Sequence, residues 1–220
     1  MILPIGQILP PELLQRCQAM AQREELFVDG KTTAGWYARR VKHNQQARPD
    51  HAVQSLLDDI STVLLGHELV QAAARPKTLV RLLLSRYQPG MAYGEHVDDA
   101  LMDRQRTDLS LTLFLTPPAS YEGGELIIND ASADRAFKLD AGDMLLYPST
   151  TLHQVAPVTR GQRLVIVGWI RSYIRDAARR ELLFDLERSI AALRSDPAQQ
   201  PTLALLLKSR SNLLRMWVED

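Results

Sequence analysis

The chain has 220 residues, 45% of them apolar and 24% charged, enough apolar side chain to bury one sizeable core in an ordinary globular protein. Its 26 basic residues balance 26 acidic ones. That argues against duplex nucleic acid or an anionic membrane as the main partner, since both favour an excess of Lys and Arg. Cys17 is the single cysteine, so an intramolecular disulfide and any metal site needing several thiolates are excluded.

The opening run MILPIGQILPPELL has no basic segment and is interrupted by Pro4, Pro10 and Pro11, unlike a secretory signal. No apolar run approaches the roughly eighteen residues of a membrane helix, and a cytoplasmic location is expected. Residues 1–77 read as a helical and extended flank. Pro10-Pro11-Glu12 marks a helix start, with Leu13, Leu14, Cys17 and Met20 following at helical spacing; Cys17 belongs to that helix's core face. After the turn signal Asp29-Gly30, the segment holding Trp36, Tyr37 and Val41 among Arg39, Arg40 and Lys42 reads as an edge strand or extended arm. Its cations are expected in solvent, where they discourage edge pairing; meeting an acidic substrate is their other use. From Asp50 to Leu69, Val53, Leu56, Leu57, Ile60, Val63 and Leu64 mark an amphipathic helix. His43, His51 and His67 lie in this flank without matching partners and read as solvated or capping groups.

Residues 78–173 change character. Short alternating or β-branched runs cover 79–87, 95–97, 109–115, 125–129, 135–139, 143–147, 152–155 and 163–170. Turn chemistry separates them, as in Gln88-Pro89-Gly90, Thr116-Pro117-Pro118 and Asp140-Ala141-Gly142-Asp143. Such a run of strands without intervening helices predicts an antiparallel double-stranded β-helix, or jelly roll, and a mainly β core in an α+β chain. Residues 174–220 return to helical periodicity as a C-terminal cap. One stripe is Leu182, Leu183, Leu186, Ile190 and Leu193; beyond the breaker Asp196-Pro197, a second is Leu203, Leu206, Leu207, Leu213, Leu214 and Trp217. A helical hairpin over the core is the simpler reading, and the same stripes would suit a homodimer.

Two of the five histidines carry the chemistry. In His96-Val97-Asp98 on an extended strand, the outer residues point the same way. His153 opens another predicted strand. Two imidazoles and one carboxylate occupy one face of an octahedron and leave positions open, the ligand set of non-haem Fe(II) oxygenases; the same set could hold catalytic zinc. Arg163 lies ten residues past His153. Period-two geometry sets Arg163, Val165, Val167 and Trp169 on one apolar wall, where an unpaired guanidinium is costly to bury. An anionic cosubstrate would answer it, because Arg offers a fork that matches a carboxylate.

The block Arg86-Tyr87-Gln88-Pro89-Gly90 with Tyr93-Gly94-Glu95-His96-Val97-Asp98-Asp99-Ala100 resembles the iron- and 2-oxoglutarate-dependent dioxygenases of the prolyl-4-hydroxylase type, and within them the bacterial PKHD-type hydroxylases. Further matches are Arg106-Thr107-Asp108-Leu109-Ser110, Tyr121-Glu122-Gly123-Gly124-Glu125-Leu126, Tyr147-Pro148-Ser149 with His153-Gln154-Val155, and upstream Thr33-Ala34-Gly35. The resemblance implies that His96, Asp98 and His153 bind Fe(II) and act in catalysis, and that Arg163 binds the 5-carboxylate of 2-oxoglutarate. It also implies O2 as co-reactant, L-ascorbate as reductant, and a link to iron homeostasis. Related enzymes place an aromatic hydroxyl near the cosubstrate where this chain has Phe114; Tyr87 is the candidate substitute. Asp98 points to hydroxylation, since halogenating relatives replace that carboxylate with a small residue. The expected product set is a hydroxylated small-molecule or peptidyl substrate, succinate and carbon dioxide. Nucleic acid and membrane are not expected as partners. The alternatives are a nucleic-acid oxidative demethylase, and a cupin-like metal isomerase or small-ligand binding module that uses no oxygen.

Overall fold

The computed structural model describes every residue except Ala34, Ala131 and Asp220, so one residue of the Thr33-Ala34-Gly35 run lies outside the described residues. The flank comprises strand β1 (Leu3–Ile5), helix α1 (Pro11–Ala21), β2 (Phe27–Asp29), helix α2 (Ala38–Val41), β3 (Lys42–His43), β4 (Gln45–Ala47), and helices α3 (His51–Gly66) and α4 (Glu68–Ala74). The core follows with β5 (Pro76–Tyr87), β6 (Ala92–His96), the hairpin β7 (Leu101–Met102) and β8 (Gln105–Arg106), β9 (Leu109–Phe114) and β10 (Glu122–Gly123). It continues with β11 (Leu126–Asn129), β12 (Asp134–Phe137), β13 (Met144–Pro148), β14 (His153–Val155), β15 (Val158–Arg160) and β16 (Arg163–Ser172). Helices α5 (Ala177–Leu193) and α6 (Gln200–Trp217) close the chain.

The strands form the jelly roll that their spacing predicts. A seven-stranded sheet runs β1-β13-β9-β16-β5-β4-β2, and a five-stranded sheet β12-β11-β14-β6-β3 faces it. The pairings in both sheets are antiparallel. Strand β9 explains why the sheets enclose a site. Its six residues are buried on both faces, yet they alternate in chemistry. Leu109, Leu111 and Leu113 join the cluster formed with the helices, which includes Leu56, Ile60 and Leu64 of α3. Ser110 and Thr112 point the other way, between the sheets, with Phe114 in the interior cluster beside Tyr147 and Val165. A buried strand with hydroxyls on one face has that face turned towards something polar.

Helix starts follow local chemistry. The Asp50 carboxylate accepts the Val53 N–H at 2.8 Å to open α3, and Asp176 accepts the Arg179 N–H at 2.9 Å to open α5, each satisfying a backbone donor that the helix itself cannot. Helices α5 and α6 pack on each other, and α5 also packs on α4. Within the first C-terminal stripe, Leu183 and Ile190 are buried while Leu182 is 54% exposed. The core-facing arc therefore passes through Leu183 and Phe184, and Leu182 belongs to the outer face.

The segment around Trp36 differs from the expected extended arm. Gly35 and Tyr37 carbonyls accept the N–H groups of Arg39 and Arg40, both at 2.9 Å, closing the one-turn helix α2. Gly94 of β6 lets that turn approach, since a Cβ there would lie 2.9 Å from Val41 Cβ. Extended structure begins only at Lys42. From there β3 pairs with β6 of the smaller sheet and β4 with β5 of the larger, so one short stretch stitches both sheets along an open side. Lys42, expected in solvent, is 5% exposed. It begins a period-two set with Asn44 and Gln46, all three buried and all lining the space between the sheets.

Candidate active site

The two histidines meet across a strand pair. His96 on β6 is the register partner of His153 on β14, which brings the ring centroids to 4.3 Å. Asp98 completes the group from just beyond the end of β6, rather than from the strand that carries His96. Its two oxygens lie 3.9 Å from His96 Nε2 and 3.9 Å from His153 Nε2. One donor atom from each of the three residues falls within a 4.8 Å span, and Val97 between them is 51% exposed, facing away.

Neighbouring groups fix these side chains for ligation. His96 Nδ1 donates to the Gly94 carbonyl at 2.8 Å, and His153 Nδ1 donates to the Thr151 carbonyl at 2.9 Å. Each bond selects the tautomer that leaves Nε2 with a free lone pair facing Asp98. Burial pushes the His96 pKa down to about 4, reinforced by the neighbouring His153 ring and opposed by Asp98, so the imidazole is neutral at pH 7, as a ligand must be. Tyr93 stacks on His96 with centroids 3.6 Å apart, and Tyr147 meets His153 edge-on at 5.2 Å. Ser110 Oγ donates to Asp98 Oδ2 at 2.5 Å and contacts Ser149 Oγ at 2.8 Å. These hydroxyls leave the other carboxylate oxygen for a metal. The three donors and their supports fit a divalent ion held on one side only.

Arg163 opens β16, opposite Tyr87 of β5, and lines the same cavity as the three candidate ligands. Its guanidinium carbon lies 4.9 Å from the Tyr87 ring centroid and 5.7 Å from that of Phe114. Room for its stem comes from Gly124: at φ +70° a side chain is disfavoured, and a Cβ would sit 3.0 Å from Arg163 Cδ. Arg163 is 1% exposed, yet its Nε and Nη1 have no hydrogen-bond partner among the described residues. A buried cation with unused donors needs an anion. Burial raises the pKa of the Tyr87 hydroxyl, opposed first by Arg163, so it stays a neutral donor.

The sequence brought His96, Asp98, His153, Arg163 and Tyr87 forward, and the fold gathers all five around one cavity. Sequence reasoning missed Ser110 and Ser149 behind Asp98, Tyr93 over His96, and the Tyr121 hydroxyl near Arg163, which is buried with no hydrogen bond of good geometry among the described residues. The signal for Ser110 was present: hydroxyls alternate with leucines on a strand buried on both faces.

Comparison with known proteins agrees with this geometry. A family model described as the 2OG-Fe(II) oxygenase superfamily matches residues 82–171, and one described as the PKHD-type hydroxylase C-terminal domain matches residues 176–219. A PKHD-type hydroxylase of Picosynechococcus sp. is 50% identical over 220 residues, spanning 100% of both chains. The chain belongs to the PKHD-type hydroxylases. It is therefore a 2-oxoglutarate-dependent dioxygenase, an enzyme class that uses Fe(II), 2-oxoglutarate and O2. Among solved structures, a Pseudomonas putida prolyl-4-hydroxylase shares the fold with a TM-score of 0.58 at 22% identity, covering 78% of this chain and 92% of that one. A Trichoplax adhaerens prolyl hydroxylase in complex with a hypoxia-inducible-factor peptide fragment gives 0.54 at 14%, covering 77% and 83%. Among the described residues, no helix is long and apolar enough to cross a membrane.

Proposed function

We propose that His96, Asp98 and His153 hold the ferrous ion, and that Arg163 takes the 5-carboxylate of 2-oxoglutarate, with Tyr87 beside it. The observation that carries this assignment is the buried guanidinium of Arg163, whose Nε and Nη1 have no partner among the described residues, in the cavity that the three candidate ligands share. When bound, the ion and its cosubstrate supply oxidative decarboxylation coupled to hydroxylation of a substrate C–H bond, with succinate and carbon dioxide released and ascorbate keeping the iron ferrous.

The chain's own residues do the positioning. Backbone carbonyls of Gly94 and Thr151 hold each imidazole in one tautomer. Ser110 holds one Asp98 oxygen and so orients the other. Arg163 sets the far end of the cosubstrate by a two-pronged, charge-assisted contact. Leu126, Val155 and Val167 line the space between and keep it poor in water, which strengthens the contacts inside. The aromatic hydroxyl that Phe114 lacks is supplied by Tyr87 of β5, across the intervening strand β16. The reacting substrate is a small molecule or a peptide; the peptide-bound neighbour shares the fold and supports the second form.

The test is anaerobic titration of the ferrous enzyme with 2-oxoglutarate, read by the visible charge-transfer band of a chelated ferrous centre. The wild type should develop the band and should form succinate under air. Asp98→Ala should do neither; undiminished succinate formation by this variant would overturn the ligand assignment.

A further inference from the structure

Lys42 was expected on a solvated edge, but the fold buries it beside the metal group. Its ammonium donates to Thr33 Oγ1 at 3.1 Å and lies 5.2 Å from the centroid of Tyr93, the ring stacked on His96. Thr33 donates its own proton to Gln46, so the bond to Lys42 brings no negative charge. Among the described residues, no carboxylate lies within 4.0 Å of the ammonium. Burial lowers its pKa to about 8 against the more distant support of Asp98 and Asp29, the signature of a cation short of a counter-charge.

The other charged groups lining this cavity are accounted for. Arg81 is closed onto Asp103 by bonds of 2.6 and 2.8 Å. Asp99 is exposed at the mouth. Arg163 is reserved for the cosubstrate. A divalent ion, one carboxylate ligand, a dianionic cosubstrate and one guanidinium balance to zero, and Lys42 then leaves one buried positive charge over. A second unused donor belongs to a residue lining the same space, since Trp169 Nε1 is buried without a partner among the described residues. The source of Lys42 is informative too. The stretch shared across the oxygenase superfamily, residues 82–171, contains all three candidate ligands and Arg163. Lys42 reaches the cavity from outside that stretch, on the segment that stitches the two sheets together.

We propose that Lys42 is a specificity-determining residue that receives a carboxylate of the substrate, so that this enzyme acts on an anionic acid rather than on a neutral molecule or amide. The inference rests on the iron and 2-oxoglutarate reading given above. A carboxylate held there would replace the missing counter-charge and leave the rest of the substrate at the cavity mouth, where Trp36, Tyr37 and Leu152 are exposed.

The experiment uses the enzyme loaded anaerobically with ferrous ion and saturating 2-oxoglutarate, with propionate and propionamide as probes in calorimetric titrations. Wild type should bind the acid at least about tenfold more tightly than the amide, a margin that a charge-assisted contact supplies. Lys42→Met should erase that margin, Lys42→Arg should keep part of it, and the 2-oxoglutarate titration of Lys42→Met should stay within about twofold of wild type. The proposal is overturned by a wild type that does not prefer the acid, or by a Lys42→Met variant that still does. It is also overturned by a tenfold loss of 2-oxoglutarate affinity with propionate binding unchanged, which would give the ammonium to the cosubstrate. Absence of the charge-transfer band in wild type would instead break the iron reading, and calorimetry distinguishes the two failures because it needs no band.

Discussion

Arg86 and Arg163 stand almost side by side and differ in how far their donors are spent. On paired strands β5 and β16, Arg86 is the register partner of Leu164, and Arg163 that of Tyr87. The two arginines therefore project from opposite faces of one sheet, and both are essentially inaccessible, at 0% and 1% exposure. Arg86 is fully occupied. It grips both Glu24 oxygens at 2.6 Å, donates through Nε to Gln45 at 2.9 Å and through Nη1 to the Ala21 carbonyl at 3.3 Å, and lies 4.1 Å above the Phe27 ring. Arg163 has aromatic neighbours and two idle donors. Burial of a cation thus says little about function; what separates a structural arginine from a receiving one is whether its donors are already spent.

The largest effect should come from emptying the receiving side. Arg163→Met removes the cation and keeps much of its volume. The 2-oxoglutarate concentration needed for half-saturation should rise roughly 100- to 1000-fold, as for other truncated, desolvated charge pairs. Melting temperature should hold or rise, because the free protein no longer buries an unanswered charge. A marked fall in melting temperature with unchanged 2-oxoglutarate affinity would reverse the roles drawn here. The mirror experiment is Arg86→Met. It strands the Gln45 side chain and the Ala21 carbonyl and loosens the packing on Phe27, so a loss of about 2–3 kcal/mol in denaturant unfolding is expected. Half-saturation by 2-oxoglutarate should stay within about twofold. Ser110→Ala belongs between the two sides: iron affinity should fall about tenfold, as for other lost supports of a metal ligand, with little change in stability.

The same contrast shows how much could be read from residues alone. The gathering of His96, Asp98, His153 and Arg163 around one cavity was legible because it depends on residue type and on strand periodicity, and both survive in a linear string. The eight core strands were legible for the same reason, since turn residues bracket each run. Asp98 lies two residues beyond the end of the strand it was expected to share with His96, a shift that spacing cannot register. Strand β1 was missed because a three-residue run with a central proline has no signal of its own; it exists through pairing with β13. The β7–β8 hairpin, two residues to a strand, was missed likewise, and its turn needs positive φ at Asp103 and Arg104, residues that rarely announce such a bend. Lys42 was placed in solvent because a lysine among arginines reads as surface. Only the fold shows that β3 and β4 bridge two sheets and so turn one side of that segment inward.

Lys42 also gives the comparison a third member, intermediate between the spent arginine and the idle one, and its smaller effect can be read through pH. The ordinary lysine pKa of 10.5 is lowered to about 8 in the folded chain. Between those values the unfolded state binds more protons than the folded state, so this residue makes stability rise with pH across that window. Below about pH 8 both states are charged and the cost of burying the ammonium is felt in full. Lys42→Met should therefore stabilise the metal-free protein at pH 7 by about 1 kcal/mol, the desolvation gain being partly offset by the lost Thr33 bond and Tyr93 contact. The gain should shrink above pH 8, cross zero at about pH 9 and turn into a loss before pH 10.5, a difference between variant and wild type that cancels the titration of every other group. A variant less stable than wild type at pH 7, with no dependence of the difference on pH, would show that the ammonium is already satisfied, as Arg86 is. Stability retained only by discarding the charge is what a residue kept for a ligand, rather than for the fold, should display.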